Sequence, residues 1–208
     1  MKAVITADIV NSTKVLDKDR DLLSQHIEKI IQEIQVVGMV KGEMYRGDSF
    51  QVLIEDYTQV VKAAILIRLG LIKSNLLDKG KLDARMSLGI GEVTYDAKKI
   101  VLSDGEAFRL SGRNFEILGK KRILIATNSL EVDRLLNLLL AFVDDILLHM
   151  SVSQSNCLYE SLLLNLSQKE IAKKLGMSQP NVAKQLKAAK EMLFREFIDY
   201  SIALLLKL

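Results

Sequence analysis

The stretch LSQKEIAKKLGMSQPNVAKQLKAAKEML, residues 166–193, constrains the fold of this chain more tightly than any other. Ile171, Ala172 and Leu175 recur at the spacing of one helical face. Gly176 tolerates the left-handed backbone of a tight turn, Met177 closes the corner, and Val182 and Leu186 begin a second apolar face. Ser178 is a good N-cap, and Pro180, the only proline of the chain, is tolerated in a first helical turn, where amides lack partners. The spacing predicts a helix-turn-helix whose second helix covers about residues 179–193.

Charge adds a second signal. Residues 1–150 carry 21 basic and 21 acidic side chains, so the formal net charge of +3 comes from the C-terminal end. Residues 167–195 hold seven basic side chains against two acidic ones. The motif resembles the DNA-binding module shared by sigma factors and many response regulators. That resemblance implies DNA as the partner, with the second helix in the major groove. Gln179, Asn181, Lys184 and Gln185 then face base edges, Lys173, Lys174, Lys187 and Lys190 face phosphates, and the N-cap Ser178 belongs to the same DNA-binding set. A three-helix bundle whose lysines only solvate its outer face is the structural alternative.

The first 127 residues follow different periodicities. Leu23, Ile27, Ile30 and Ile34 predict an amphipathic helix over about 19–36, ended by Gly38. A hairpin is expected next, with arms Val36 to Tyr45 and Phe50 to Glu55 and its turn at Gly47-Asp48. Val61, Ile65, Leu69 and Ile72 predict a helix over about 57–77, alternation predicts a strand over 83–91, and a short helix over 105–118 and a strand over 122–127 follow. Together with a first strand in VITADIV, the order is strand, helix, strand, strand, helix, strand, helix, strand. This is an α+β sandwich of the split βαβ or ferredoxin-like kind, with helices on one face of an antiparallel sheet. Composition then turns leucine-rich, with no glycine between Gly119 and Gly176. The expected division is a ferredoxin-fold domain over 1–127, a helical connector over 128–150, and an all-α helix-turn-helix domain over 151–208.

Asp8 interrupts the apolar run of the first strand, where an ionised carboxylate is costly unless it is paired, hydrogen-bonded or bound to a cation. In a ferredoxin-like sheet the first strand is central and the hairpin lies beside it, which brings Asp8 toward Asp48. Two converging carboxylates form a hard-oxygen site suited to Mg²⁺ or Mn²⁺, ions that bind phosphates. Each aspartate also has a structural reading: Asp8 as a cap on the Ser12 or Thr13 amides, and Gly47-Asp48 as ordinary turn chemistry.

These residues resemble the class III nucleotidyl cyclase catalytic domain. Its D-I-x-x-S/F-T context is matched by Asp8-Ile9-Val10-Asn11-Ser12-Thr13, its G-D hairpin by Gly47-Asp48, its glycine strand by RMSLGIGEV, and its G-x-x-V-N-x-A-x-R helix by GEAFRLSGR. The resemblance implies Asp8 and Asp48 as metal ligands. It also implies the amides of Val10, Asn11, Ser12 and Thr13 as phosphate contacts, and Arg113 as the cation that stabilises charge on a transferred phosphoryl group. Arg109 replaces the usual asparagine and Met44 the base-recognising lysine, and Ile90-Gly91 shortens the glycine strand, which also lacks its histidine. Those departures point to nucleotide binding more than turnover; an active metal-dependent nucleotidyl transferase is the rival.

Taken in order, TADIVNS, RGDSF, SLGIGEV and SDGEAFRLSG with a helix-turn-helix behind them resemble the SatD family of bacterial proteins. The resemblance implies a cytoplasmic protein with a cyclase-like fold and a regulatory or DNA-binding role. The lone Cys157 forms no intrachain disulfide and is expected in a core, as His26 and His149 are expected to be packing or surface residues. LLNLLLAFVDDILLHM carries two aspartates in its middle and makes a poor membrane span. Phe197, Ile198, Ile202, Leu205 and Leu206 are too apolar for a free tail; they pack back on the N-terminal half or form the contact of a homodimer.

Overall fold

β1 (Lys2–Val10) is the central strand, and its two faces do different work. Successive side chains of a strand point to opposite sides. Ala3, Ile5, Ala7 and Ile9 enter the main core with Leu23, Ile27 and Ile30 of α1 (Arg20–Glu33). Val4 packs on the other side with Leu53 and with Ala107 of α3 (Glu106–Glu116). The computed structural model describes residues 1–208 apart from Asn75 and the side chains of Asp17 and Arg46. Asn75 falls in the helix expected over 57–77 and so lies outside the described residues.

The hairpin is formed by β2 (Val40–Arg46) and β3 (Ser49–Ile54). Residues 34–37 stay in a 3₁₀ turn that continues α1, so the first arm starts later than Val36. With β4 (Asp83–Gly91) and β7 (Ile123–Ala126) the sheet runs β2-β3-β1-β4-β7. The first four strands are antiparallel, but β4 and β7 pair in parallel, so the sheet is mixed and not the antiparallel sheet expected. α3 is the crossover between these two parallel strands and packs against β4, β1 and β7. It lies on the face opposite α1 and α2, which corrects the expectation of helices on one face. Two short strands, β5 (Val93–Tyr95) and β6 (Asp104–Gly105), add a small ladder that carries no clear alternation.

α2 (Val60–Ile72) is buried at every position except Lys62. A helix apolar all round must be covered on both sides. The sheet covers one side of α2 and α5 (Val152–Leu164) the other, where the Ser155 hydroxyl donates to the Leu69 carbonyl at 2.8 Å. Arg68, in the middle of α2, is fully buried. Its guanidinium donates through Nε and Nη2 to the two oxygens of Asp83 at 2.8 and 2.9 Å. Its Nη1 lies 2.8 Å from Asp144 Oδ1, a charge contact without hydrogen-bond alignment. Arg122 completes the network through Asp83 at 3.1 Å and through its amide to Asp144 at 3.2 Å.

α4 (Leu130–His149) closes the β7 edge with side chains. Asn137 both donates to the Ile125 carbonyl at 2.8 Å and accepts from its amide at 2.9 Å, as a neighbouring strand would. Asp133 accepts from the Thr127 amide at 2.8 Å. An open edge is a template for pairing with another chain, and these contacts occupy it.

The remaining elements are α6 (Gln168–Leu175), α7 (Gln179–Ala188) and α8 (Glu191–Leu205). Ile198 and Leu205 are buried in the main core, with Phe197 and Ile202 packed against it, so the C-terminal apolar segment packs back. One hydrophobic core therefore runs through α1, α2, the sheet, α4, α5 and α8. His26 is half-buried and donates its Nε2–H to the Gly70 carbonyl at 2.9 Å; burial holds its pKa below the ordinary imidazole value despite that bond. No helix among the described residues is long and apolar enough to cross a membrane.

Candidate functional site

Two regions gather the residues singled out above. The first is built on α5, α6 and α7, whose contact is a small core of Cys157, Ile171, Ala172, Val182 and Leu186, with Leu175 and Met177 packed against it. α6 opens with a capping box, in which Ser167 caps the Glu170 amide and the Glu170 carboxylate returns to the Ser167 amide at 2.8 Å. Gly176 adopts φ 64°, and the Met177 amide donates to the Ala172 carbonyl at 2.9 Å. Ser178 caps α7 and Pro180 sits in its first turn. Burial pushes the Cys157 thiol up, and the residue fills this core.

α7 stops at Ala188, short of the 193 expected, because Lys190 takes a left-handed φ of 61° and α8 starts behind it. Ser178, Gln179, Asn181 and Lys184 are exposed. Gln185 is half-buried, and its amide donates to Asn181 Oδ1 at 3.2 Å, which fixes the orientation of Asn181. Among the described residues Lys173, Lys184, Lys187 and Lys190 are exposed and engage in no ion pair. Lys187 and Lys190 border a groove of about 390 Å³ with Met192 and Leu193. Lys174 differs: its ammonium lies 2.6 Å from the buried Glu160, so it is a packing contact between α6 and α5.

Glu160 continues inward. Lys73, at the end of α2, approaches it at 3.7 Å and lies 3.6 Å from the centre of the Tyr159 ring. The Tyr159 hydroxyl donates to Glu33 of α1 at 2.6 Å. Burial first, and the Glu33 carboxylate second, raise the Tyr159 hydroxyl far above its ordinary pKa, so it remains a donor. Burial lowers the Lys73 ammonium, and Glu160 opposes that shift. Lys174, Glu160, Lys73, Tyr159 and Glu33 form a polar chain from α6 to α1.

The second region is the corner where β1 ends beside the β2–β3 turn. Asp8 pairs in register with Ser49, and the Ile9 amide donates to the Asp48 carbonyl at 2.9 Å, so the two aspartates occupy neighbouring backbone positions. The Ser49 hydroxyl donates to Asp8 Oδ1 at 2.5 Å and the Ser12 hydroxyl to Asp48 Oδ2 at 3.1 Å. Asn11 takes a left-handed φ of 67° at the start of a 3₁₀ turn over Ser12–Lys14, and its Nδ2 donates to the Lys81 carbonyl at 3.0 Å. Ser12 is buried, Thr13 is exposed, and Val10 pairs with Asp83 in the sheet. Among the described residues no third acidic, histidine or cysteine side chain joins the aspartates. Their donor set is two carboxylates and two hydroxyls, all hard oxygen groups.

Asp8 lies on the α3 side of the sheet, in a row with Thr6, which meets Ser111 at 3.0 Å and accepts from Gln51 at 3.3 Å. Arg113 is exposed, two residues from Ser111 and so turned away from the Ala107/Ser111 stripe that meets the sheet. Arg85, the cross-strand partner of Asp8, is the basic residue paired directly with it on this face. Its guanidinium stands over the Phe115 ring at 5.7 Å and donates to the Gly119 carbonyl at 3.2 Å. Sequence reasoning passed over Arg85; its parity with Ser87 in ARMSLGIG, opposite Met86 and Leu88, is the signal that places it off the main core.

A mixed α+β fold, with one hydrophobic core from the sheet to α8 and a second, smaller one between α5, α6 and α7, defines the class. The chain belongs to the SatD family, whose model matches residues 2–196. No curated protein matches it.

Proposed function

We propose that this SatD-family chain is a bacterial transcription regulator that binds DNA through α6 and α7. The observation that carries the reading is the first turn of α7. Ser178, Gln179, Asn181 and Lys184 stand exposed on a helix whose other side is locked into a three-helix core, with lysines that engage no carboxylate beside them. Asn181 and Gln179 supply amides for adenine edges, Lys184 supplies an ammonium for guanine or phosphate, and Lys173, Lys187 and Lys190 neutralise backbone charge. Lys174 leaves the set because Glu160 holds it. In a gel-shift assay at fixed salt, Lys184→Ala with Gln185→Ala is expected to weaken binding at least tenfold, at about 1–3 kcal/mol for each base-reading contact removed. Undiminished binding by that variant would sink the assignment of α7.

The corner of Asp8 and Asp48 supports a ligand-sensing role in the same regulator. Asp8 and Asp48 would hold Mg²⁺ or Mn²⁺, which supplies the positive charge that a nucleotide or other phosphate ligand needs there, with the Ser12 and Ser49 hydroxyls as neighbours. The turn from Val10 to Thr13 lines the same corner. Arg113 stands away from it, so binding is favoured over phosphoryl transfer. Calorimetric titration with ATP or GTP in the presence of Mn²⁺ is expected to give a binding isotherm that Asp8→Asn abolishes. An isotherm identical in Asp8→Asn would remove the corner from the proposal. Cyclic or linear nucleotide products in the same samples would favour a metal-dependent nucleotidyl transferase instead.

A further inference from the structure

α4 carries an apolar stripe that nothing in the chain covers. Val132, Leu136, Leu140, Val143 and Leu147 face the core, and Asp133, Asn137 and Asp144 face the β7 end. The side left outward holds Leu138 and Phe142, 58 % and 65 % exposed, beside the exposed Ala141 and Leu148. Glu131, Arg134, Leu138, Ala141, Asp145 and Leu148 follow one another at alternating spacings of three and four residues. That is the seam spacing by which one helix packs along another.

We propose that this stripe is a dimer surface, on which α4 of a second copy of this chain lies antiparallel about a two-fold axis midway between residues 138 and 141. A two-fold interface makes a patch meet itself, so its charges must be opposite at equal distances from the centre. Arg134 and Asp145 of the α4 stripe satisfy that condition, and no like charges meet. With the axis at that point, Leu138 faces Ala141 of the second copy, Arg134 faces Asp145, and Glu131 faces the turn of Leu148 and His149. Ala141 is small enough to let the helices approach closely at the axis, and Phe142 closes the flank. Arg134 engages no ion pair among the described residues, and Asp145 is held only by the exposed His149 at 3.5 Å on its own helix. The always-charged guanidinium is the stronger partner for that carboxylate. The complementarity selects a second copy over an unrelated helix, because a foreign partner gives no reason for the charges of α4 to mirror one another about its own midpoint.

Sedimentation velocity on the full chain without DNA tests the proposal separately from the DNA-binding role. The wild-type chain is expected to sediment as a dimer at micromolar concentration. Leu138→Glu is expected to give a folded monomer with an unchanged circular-dichroism spectrum, since its side chain is outside the core, and a melting temperature that no longer rises with protein concentration. Arg134→Asp and Asp145→Arg are each expected to weaken self-association at least tenfold, and the two together to restore it, which only the antiparallel register predicts. A wild-type chain that stays monomeric at 100-fold higher concentration, a dimer unmoved by Leu138→Glu, or a double charge exchange no tighter than either single one would overturn it.

Discussion

Arg68→Ala is expected to destabilise the protein by about 3–5 kcal/mol, the cost of breaking a buried ion pair from one side. At roughly 2–4 °C per kcal/mol for a chain of this size, the melting temperature falls by about 6–20 °C. The guanidinium is fully buried between Asp83 and Asp144, which are themselves 8 % and 14 % exposed at the side chain. Removing it leaves two carboxylates in a place that water barely reaches, with only the Arg122 guanidinium at the margin. Arg68→Met, which keeps the volume, is expected to be nearly as damaging, because volume is not what is lost. Adding Asp83→Asn and Asp144→Asn to Arg68→Met is expected to recover much of the stability, since the stranded charges disappear with the cation. A single variant melting within 2 °C of wild type would show that the network is neutral. The network also has a positional meaning: α2, β4, the approach to β7 and α4 meet at this one guanidinium. α4 in turn carries the outer stripe, so the geometry of that face depends on a residue in the middle of the core.

Arg68 illustrates what was and was not legible in the sequence. VVKAAILIRLGLI reads as a helix from its periodicity, but a single charge in an apolar run carries no address for its partners, which lie 15 and 76 residues further along. β4 was readable to its ends because its alternation is unbroken and Gly91 precedes a polar residue. The parallel pairing of β4 with β7 was not, because a four-residue apolar strand looks the same in either direction. Asp8 was readable as an anomaly, and its partner Ser49 comes with the hairpin that was expected. Its side of the sheet was hidden, because β1 is covered on both faces and its run is nearly continuous. The role expected of Arg113 came with the cyclase resemblance and not from spacing: the helix was legible, but which of its sides meets the sheet depends on a crossover the sequence pattern does not encode. In the helix-turn-helix every core position was legible, since turn, cap and apolar spacing all lie within one local stretch. Two things there were missed: the end of α7 at Lys190, where a lysine takes a backbone conformation usually left to glycine or asparagine, and the partner of Lys174, which lies on α5 and outside the local pattern.

Gly89→Ala is expected to be the most damaging single-methyl change in the sheet, at about 3 kcal/mol, the upper end of the usual range for overpacking a core. A Cβ at this position would lie 2.3 Å from the Ala107 carbonyl oxygen and 2.5 Å from the Ser111 amide nitrogen. Both atoms belong to the backbone of α3, so no side-chain rotation relieves the contact; the whole helix must lift. Lifting it breaks the bond between Ser111 and Thr6 and moves the Phe115 ring under Arg85. These contacts border Asp8, so the variant is expected to lose divalent-cation and nucleotide affinity along with stability, although Gly89 touches neither aspartate. Gly112 supplies the control on the same helix. A Cβ there meets nothing within 4 Å, so Gly112→Ala is expected to raise stability by about 0.5–1 kcal/mol through helix propensity alone. Chemical denaturation of the two variants against wild type gives opposite signs if α3 is seated directly on β4. If Gly89→Ala unfolds at the wild-type denaturant concentration, α3 has room to rise, and the corner at Asp8 does not depend on where that helix sits.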